Sequence, residues 1–276
     1  AVWFIVYDLL PILLPNVFPR GTAQLHKAWL DVVAQGDGAV CISKAVADEL
    51  CNWFEENASR RQRSFKIDWF HLGADIKQSV PSLGMPDDAD MVTKKISERI
   101  SFLMVGTIEP RKGYAQTLSA FELLWSQGID INLIIVGKQG WMVETIIEEI
   151  SHHPELNKHL FWLEGISDEY LEEIYAASTC LINASEGEGF GLPLIEAAQH
   201  RLPIIARDIP VFREVAGKDA FYFNGLEPKD IANSVQAWLT LYKKGEHPTS
   251  DHMSWFTWKQ SAEQLLERIG VTELAK

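Results

Sequence analysis

The sequence predicts a doubly wound α/β protein, preceded by a second unit of the same kind that is incomplete. From Ile100 onward, short apolar runs of strand length alternate with helical patterns. The stretch before it carries a shorter version of the same alternation. Two charged, glycine-containing loops each fall between an expected strand and an expected helix, where doubly wound proteins bind ligands.

The later strand candidates are 101–105, 131–136, 160–163, 180–184, 203–206 and 221–223. They are short, apolar on both faces and often followed by glycine or a polar turn, as strands of a covered parallel sheet are. A helix over 114–127 places Leu118, Phe121, Leu124 and Trp125 on one stripe. Another over 142–150 repeats the pattern with Val143, Ile146, Ile147 and Ile150. Ser167 reads as an N-cap before Asp168 and Glu169, and Pro228 opens a helix reaching about Tyr242.

In front, strands are expected at 2–7, 38–42 and 65–72, with a helix over 43–56. Three strands are few for a doubly wound domain, and the chain starts inside one of them without Met, so the first unit is expected to be truncated. Residues 78–95, with Pro81, Gly84, Pro86 and three Asp, read as a linker. The expected division is an incomplete first domain over 1–80, a linker over 81–98, a second domain over 99–250 and a terminal helical segment over 251–276. A last helix over 254–269 starts with Trp255, Phe256 and Trp258. Packing on its own sheet and returning to the first unit are both open to it.

With 276 residues, the chain accommodates one complete domain of roughly 100–200 residues and part of another. The hydrophobic share of 47% supports a sizeable core, and a net charge of −13 argues against nucleic acid as a partner. A local basic site for a small anion remains compatible with that charge. Cys41, Cys51 and Cys180 are too scattered for a disulfide framework or a zinc site and read as buried thiols in a reducing compartment. No window approaches the ~20 apolar residues of a membrane span. The apolar opening over 1–14 is broken by Asp8 and lacks a basic start, so no signal peptide is expected.

The first loop is Gly106-Thr107-Ile108-Glu109-Pro110-Arg111-Lys112-Gly113. A helix N-terminus offers unpaired N–H groups and partial positive charge, and Arg111 and Lys112 beside it suit a diphosphate. The bland alternative is a solvated basic pair. The second loop runs from Ser185 through Glu186, Gly187, Glu188, Gly189, Phe190, Gly191, Leu192 and Pro193 to Glu196. Its glycines let backbone approach a ligand, while Glu188 in the loop and Glu196 in the following helix can address one ligand from two sides. Here the alternative is an acidic turn capping a helix, although such a turn has no use for Phe190. Trp141, after Gly140, is a candidate for stacking on a base or for interdomain packing.

The run from Glu188 to Glu196 resembles the paired-glutamate motif of the family-4 (group 1) retaining glycosyltransferases of GT-B fold. The loop Gly106 to Gly113 resembles that family's phosphate-binding loop, and the likeness extends over nearly the whole chain. The Asp8-Leu9-Leu10-Pro11 segment and the form of the first loop resemble the bacterial enzymes that build O-antigen and related polysaccharides, mannosyltransferases among them. The resemblance implies a GT-B type architecture of two Rossmann-like domains, the N-terminal one truncated here. It implies that Glu196 holds the ribose hydroxyls and that Glu188 lies at the donor sugar. Phe190, Gly191 and Leu192 would offer backbone N–H groups, and Arg111 and Lys112, with Gly106 and Thr107, would meet the diphosphate. The base would sit by Gly137, Lys138, Gly165 and Ile166. Two positions depart from the pattern: Thr107 stands where many members carry Arg, and Tyr7 where many carry His, which leaves Asp8 as the polar candidate in the first unit.

The implied function is retaining transfer of a hexose, mannose first, from a nucleotide diphosphate sugar to a glycan or lipid-linked acceptor in polysaccharide biosynthesis. GDP-mannose is the first expected donor and a UDP-sugar the second. The setting is the cytoplasm, at the inner membrane face if the acceptor is lipid-linked. A GT-B epimerase or hydrolase, and a donor-binding piece without activity of its own, are the alternatives. No metal site is expected. Asp88-Ala89-Asp90 has a metal-binding spacing but falls in the linker, and the histidines show no ligand spacing.

Overall fold

The computed structural model describes residues 1–57, 64–75 and 84–271. Two parallel sheets organise it. The first joins β1 (Trp3–Val6), β2 (Gly38–Cys41) and β3 (Lys66–Trp69) in that spatial order. The second contains β4 (Ile100–Val105), β5 (Ile131–Val136), β6 (Leu160–Leu163), β7 (Cys180–Asn183), β8 (Ile204–Arg207) and β9 (Phe221–Phe223). Its order is β6-β5-β4-β7-β8-β9, parallel throughout. The order reverses at β4, with β5 on one side and β7 on the other, and such a reversal opens a crevice at the carboxyl ends of the strands.

The strands of the second sheet are apolar on both sides because helices cover both faces. One face buries Phe102, Phe121, Leu133, Ile135 and Trp238 under α5 (Tyr114–Ser126), α6 (Glu144–Ser151) and α10 (Pro228–Lys244). The other buries Leu103, Ile134, Tyr175, Leu194 and Phe212 under α7 (Asp168–Ala177), α8 (Leu192–Gln199) and α9 (Pro210–Ala216). Ser167 accepts from the Tyr170 N–H as the N-cap of α7. The first sheet carries α1 (Leu10–Leu13), α2 (Thr22–Val33) and α3 (Lys44–Asn57), with Leu30, Val33, Val46 and Leu50 in its core.

Several expectations need correction. The linker over 81–98 contains α4 (Ala89–Ser97), which buries Ala89 and Ile96 and lays Val92 on the core beside α7. The prolines and aspartates of the segment masked that short apolar stripe. Residues 76–83, with Gln78 and Pro81, lie outside the described residues. Asp88 and Asp90 stand exposed at the start of α4. Of the three thiols, Cys41 and Cys180 are buried but Cys51 is only half-buried. The last helix, α11 (Trp258–Arg268), begins later than expected, because Trp255 and Phe256 belong to an extended segment. That segment bridges to Gly73 at Phe256, and Ser261 Oγ donates to the His71 carbonyl at 2.7 Å. The terminal helix therefore returns to the first sheet.

The two sheets are joined by a polar clasp. The Glu214 carboxylate, on α9, accepts from the Lys44 and Ala45 N–H groups at 2.7 and 2.8 Å and lies 2.7 Å from His71 Nε2. It thereby supplies from one unit the N-terminal partner that α3 needs in the other. Burial raises the pKa of Glu214, but the hydrogen bonds from His71, Lys44 and Ala45 outweigh it and hold the carboxyl below its ordinary value. A depressed carboxylate contributes stability above its unfolded pKa and loses it as the pH falls through the folded one. Glu214→Ala is accordingly expected to lower unfolding free energy by ~2 kcal/mol at neutral pH. Urea denaturation across pH should show the difference shrinking progressively below pH 4.5; a difference independent of pH would contradict a charged clasp.

Candidate active site

The loops after β4 and β7 emerge side by side at the strand-order reversal. After β4 the chain passes Gly106 and Thr107 into a 3-10 turn, Pro110–Lys112, and then into α5 through Gly113, whose φ of +72° suits glycine. The tight join needs small residues. A Cβ on Gly113 would lie 2.6 Å from the Ala184 carbonyl oxygen, and one on Gly137 only 2.0 Å from that of Gly106. Tyr114 Oη donates to the Gly106 carbonyl at 2.6 Å, and Ile108 N–H to the Lys138 carbonyl at 2.8 Å. Lys138, exposed beside Gly165, and Gly137 thus form the next turn along the same edge.

Arg111, Lys112 and Glu188 meet in one half-buried cluster. Arg111 Nη1 lies 3.1 Å from Glu188 Oε2 and donates to the Gly187 carbonyl at 2.9 Å, while its Nε is 2.9 Å from Glu109 Oε2. Lys112 Nζ binds Glu188 Oε1. Ser185 Oγ lies 2.8 Å from both Glu188 Oε1 and Asn183 Oδ1. Burial pushes the Glu188 pKa up, yet Lys112 and Arg111 more than offset it and hold the carboxylate ionised below its ordinary range. Glu109 is pushed up by burial despite the same two cations. Buried ion pairs are weak sources of stability, because desolvation consumes most of the attraction. Such a cluster at a ligand crevice is better explained by what binds there.

Glu196 lies on α8. Tyr175 Oη donates to its Oε2 at 2.7 Å, and the Tyr175 ring stacks on His200 at 5.0 Å. Burial raises the Glu196 pKa, only partly countered by the Tyr175 hydrogen bond. No described residue accepts from the N–H groups of Phe190, Gly191 or Leu192, which front the start of α8. The Phe190 ring is 4% exposed and packs toward the first sheet, among Val40, Ile42 and Leu72. Gly189 sits so close to the first unit that a Cβ would lie 2.3 Å from the Tyr7 carbonyl, and Ser43 Oγ donates to the Gly189 carbonyl at 2.7 Å.

Some expected side chains go elsewhere. Asp8 Oδ1 accepts from the Leu10 N–H, and Tyr7 is largely exposed. Trp141 turns to the first unit, where its Nε1 donates to the Val17 carbonyl and its ring stacks on Phe18. Several histidines do pair with carboxylates, such as His153 with Glu122 and His159 with Asp130 and Glu155. Among the described residues no group of His, Cys, Asp and Glu could hold a metal ion. Sequence reasoning missed Arg207. Buried at the end of β8, it donates through Nε and Nη2 to the Ala184 carbonyl at 3.0 Å and through Nη2 to Gln116 Oε1 at 2.6 Å. It thereby fastens the start of the Glu188 loop to α5. An Arg closing an otherwise apolar strand was its one visible signal.

The family of glycosyl transferases, group 1, matches residues 87–251, the segment that holds both loops. The chain belongs to this family. It is 51% identical over 271 residues to the serotype-specific mannosyltransferase WbdA of Escherichia coli, covering 97% of this chain and 33% of that protein. It is 29% identical over 148 residues to the O-antigen chain mannosyltransferase RfbU of Salmonella typhimurium, covering 54% of this chain and 40% of RfbU. The chain thus spans about a third of the length of the WbdA proteins it matches. Among solved structures, Anabaena HepE in complex with UDP and glucose aligns over 97% of this chain and 70% of its own, at TM-score 0.72 and 16% identity. The sucrose-phosphate synthase of Thermosynechococcus elongatus aligns over 96% and 66%, at 0.73 and 18%. These neighbours share the fold, the GT-B arrangement of parallel sheets.

The ion cluster of this group 1 transferase yields a double-mutant cycle. Lys112→Met should destabilise by ~3 kcal/mol by leaving Glu188 short of a partner. Adding Glu188→Gln should recover at least ~1 kcal/mol of that loss. Strict additivity in urea denaturation would mean that the two side chains do not interact in solution.

Proposed function

We propose that this chain carries the donor-binding half of a retaining glycosyltransferase that moves mannose from GDP-mannose to a glycan or lipid-linked acceptor in O-antigen or related polysaccharide assembly. A UDP-sugar is the second donor considered. The observation that carries the reading is the meeting of Arg111, Lys112 and Glu188 at the strand-order reversal, one loop away from Glu196. The names of WbdA and RfbU support mannose and the O-antigen setting.

Transfer requires stabilising a departing diphosphate. Arg111 and Lys112 supply that positive potential in a partly desolvated site, a contribution worth several kcal/mol in such settings. With two cations already provided by the protein, we infer a reaction that needs no metal. Both cations are engaged by Glu188, so a diphosphate binding them would take over part of their coordination. Glu188 would then turn toward the sugar hydroxyls, as a positioning and electrostatic group and not as a nucleophile. Gly106, Thr107, Gly137 and Lys138 line the edge along which the nucleotide would lie, and Phe190, Gly191 and Leu192 would donate backbone hydrogen bonds. Retention is in keeping with acceptor attack on the face that the leaving group vacates, with a phosphate oxygen taking the acceptor proton. No described helix is long and apolar enough to cross a membrane. A lipid-linked acceptor would place the reaction at the inner membrane surface.

Glu196 is assigned to the ribose, and its environment makes that testable. A carboxyl whose folded pKa is raised opposes folding once ionised, above its ordinary value of 4.5. Glu196→Gln is therefore expected to keep or raise the thermal midpoint at pH 7 and to weaken nucleotide binding ~10-fold, the loss of one charged hydrogen bond. Calorimetric titration with GDP, GDP-mannose, UDP and UDP-glucose reads the second effect and selects the base. Unchanged affinity in the variant would remove Glu196 from the site, and no binding by the folded chain would count against the donor reading.

A further inference from the structure

Glu196 is held by side chains that stack across α7 and α8. Tyr175 on α7 is buried, in the same apolar cluster as Leu181, Leu194 and Ala197. Its ring lies flat on His200, with centroids 5.0 Å apart and planes 4° from parallel. His200 stands one turn beyond Glu196, at the C-cap of α8, and its Nε2 is 3.4 Å from Glu172 Oε2 on α7. With the ring fixed in this way, the Tyr175 hydroxyl is aimed at Glu196 Oε2, to which it donates at 2.7 Å.

The two oxygens of this carboxylate are treated differently. Oε2 has its donor, whereas Oε1 has none among the described residues and stays open to solvent. A carboxylate kept for packing alone would have both oxygens satisfied, because a buried polar atom left unpaired is costly. A glutamate also has several rotatable bonds, so fixing its orientation before a ligand arrives removes that ordering cost from binding. The phenol suits this task because it keeps its proton. Burial and the adjoining Glu196 carboxylate push its pKa well up, so it remains a donor across the physiological range. The hydrogen bond also favours the ionised carboxyl. Burial raises the Glu196 pKa and the Tyr175 hydroxyl opposes that rise; Asp168 and Glu172 on α7 add to it, and His200 works against it.

We propose that Tyr175 is a positioning residue for nucleotide binding, holding Glu196 so that Oε1 meets the ribose hydroxyls. The proposal rests on the ribose assignment made above. Tyr175 would touch no part of the ligand and would act only through Glu196. The test is calorimetric titration with GDP from about pH 5.5 to about pH 8. Tyr175→Phe keeps the ring and its stacking and deletes only the donor. GDP binding should weaken about threefold at the upper pH, where the loosened carboxylate is still ionised. The deficit should widen to ~10-fold at the lower pH, because losing a hydrogen bond that lowers the Glu196 pKa lets the carboxyl take its proton at higher pH. Titration of the GDP phosphate is common to all variants and cancels in the comparison. In a Glu196→Gln background the same change should alter GDP affinity by less than about twofold at either pH. A deficit that is equal at both pH values, no deficit, or an equal deficit in the Glu196→Gln background overturns the proposal, since a tyrosine that only packs would behave in one of those ways. If Tyr175→Phe does not fold, His200→Ala removes the stacked ring but no group bonded to Glu196. It should weaken GDP binding about threefold at the upper pH, and not at all in the Glu196→Gln background; equal losses in both backgrounds overturn the proposal. If Glu196→Gln alone binds GDP as the unmodified chain does, the ribose assignment falls and this proposal with it. If the unmodified chain binds no GDP, the donor reading itself falls.

Discussion

The pairing of β4 with β7 is the constraint on which the rest of the site depends. These strands are far apart in the chain, yet Phe102 sits opposite Cys180 and Leu103 opposite Leu181 at the centre of the sheet. Because all strands are parallel, both loops leave on the same edge, and because the order reverses there, they border one crevice. Every contact between Arg111 or Lys112 and Glu188 follows from that one registration. The glycines at 113 and 137 serve it, since they let loop backbones approach to distances that a side chain would forbid.

Around this centre the protein places charge where charge is expensive. Glu188 and Glu109 are both largely removed from water, and two cations hold the first ionised while the second is pushed toward protonation. Arg207, also buried, donates to the Ala184 carbonyl at the start of the Glu188 loop and to the Gln116 amide oxygen on α5. The result is a strong local field at a crevice, where water is largely replaced by protein dipoles and ions. The same logic applies at Glu196, which is held in a site that opposes its ionisation and receives one hydrogen bond from Tyr175.

The junction of the two units is part of the site and not a passive seam. Glu214 caps α3 across the junction, Ser43 grips the Gly189 carbonyl, and Phe190 fills a shared core with Val40 and Leu72. The terminal helix returns to β3 and ties the same junction from behind. The loop bearing Glu188 is thus shaped from both sides.

Much of the second sheet was legible in the residues themselves. Strand-length apolar runs such as Ile131–Val136 and stripes such as Leu118, Phe121 and Leu124 are local patterns, set by burial on both faces of a sheet or on one face of a helix. Ser167 and Pro228 announced helix starts through hydrogen bonding and backbone geometry that involve only their neighbours. The helix at Ala89–Ser97 was hidden because its stripe is short and its flanks carry turn residues, so only packing against α7 reveals it. Arg207, the Glu214 clasp and the turning of Trp141 toward Phe18 were likewise beyond the reach of sequence. Sequence by itself determined the strands of the second sheet, most of the helices between them and the residue types of the two loops, because these depend on spacing and on local chemistry. Only the tertiary structure decided which charges meet, since a hydrogen bond between residues far apart in the chain exists only once the sheet registers its strands.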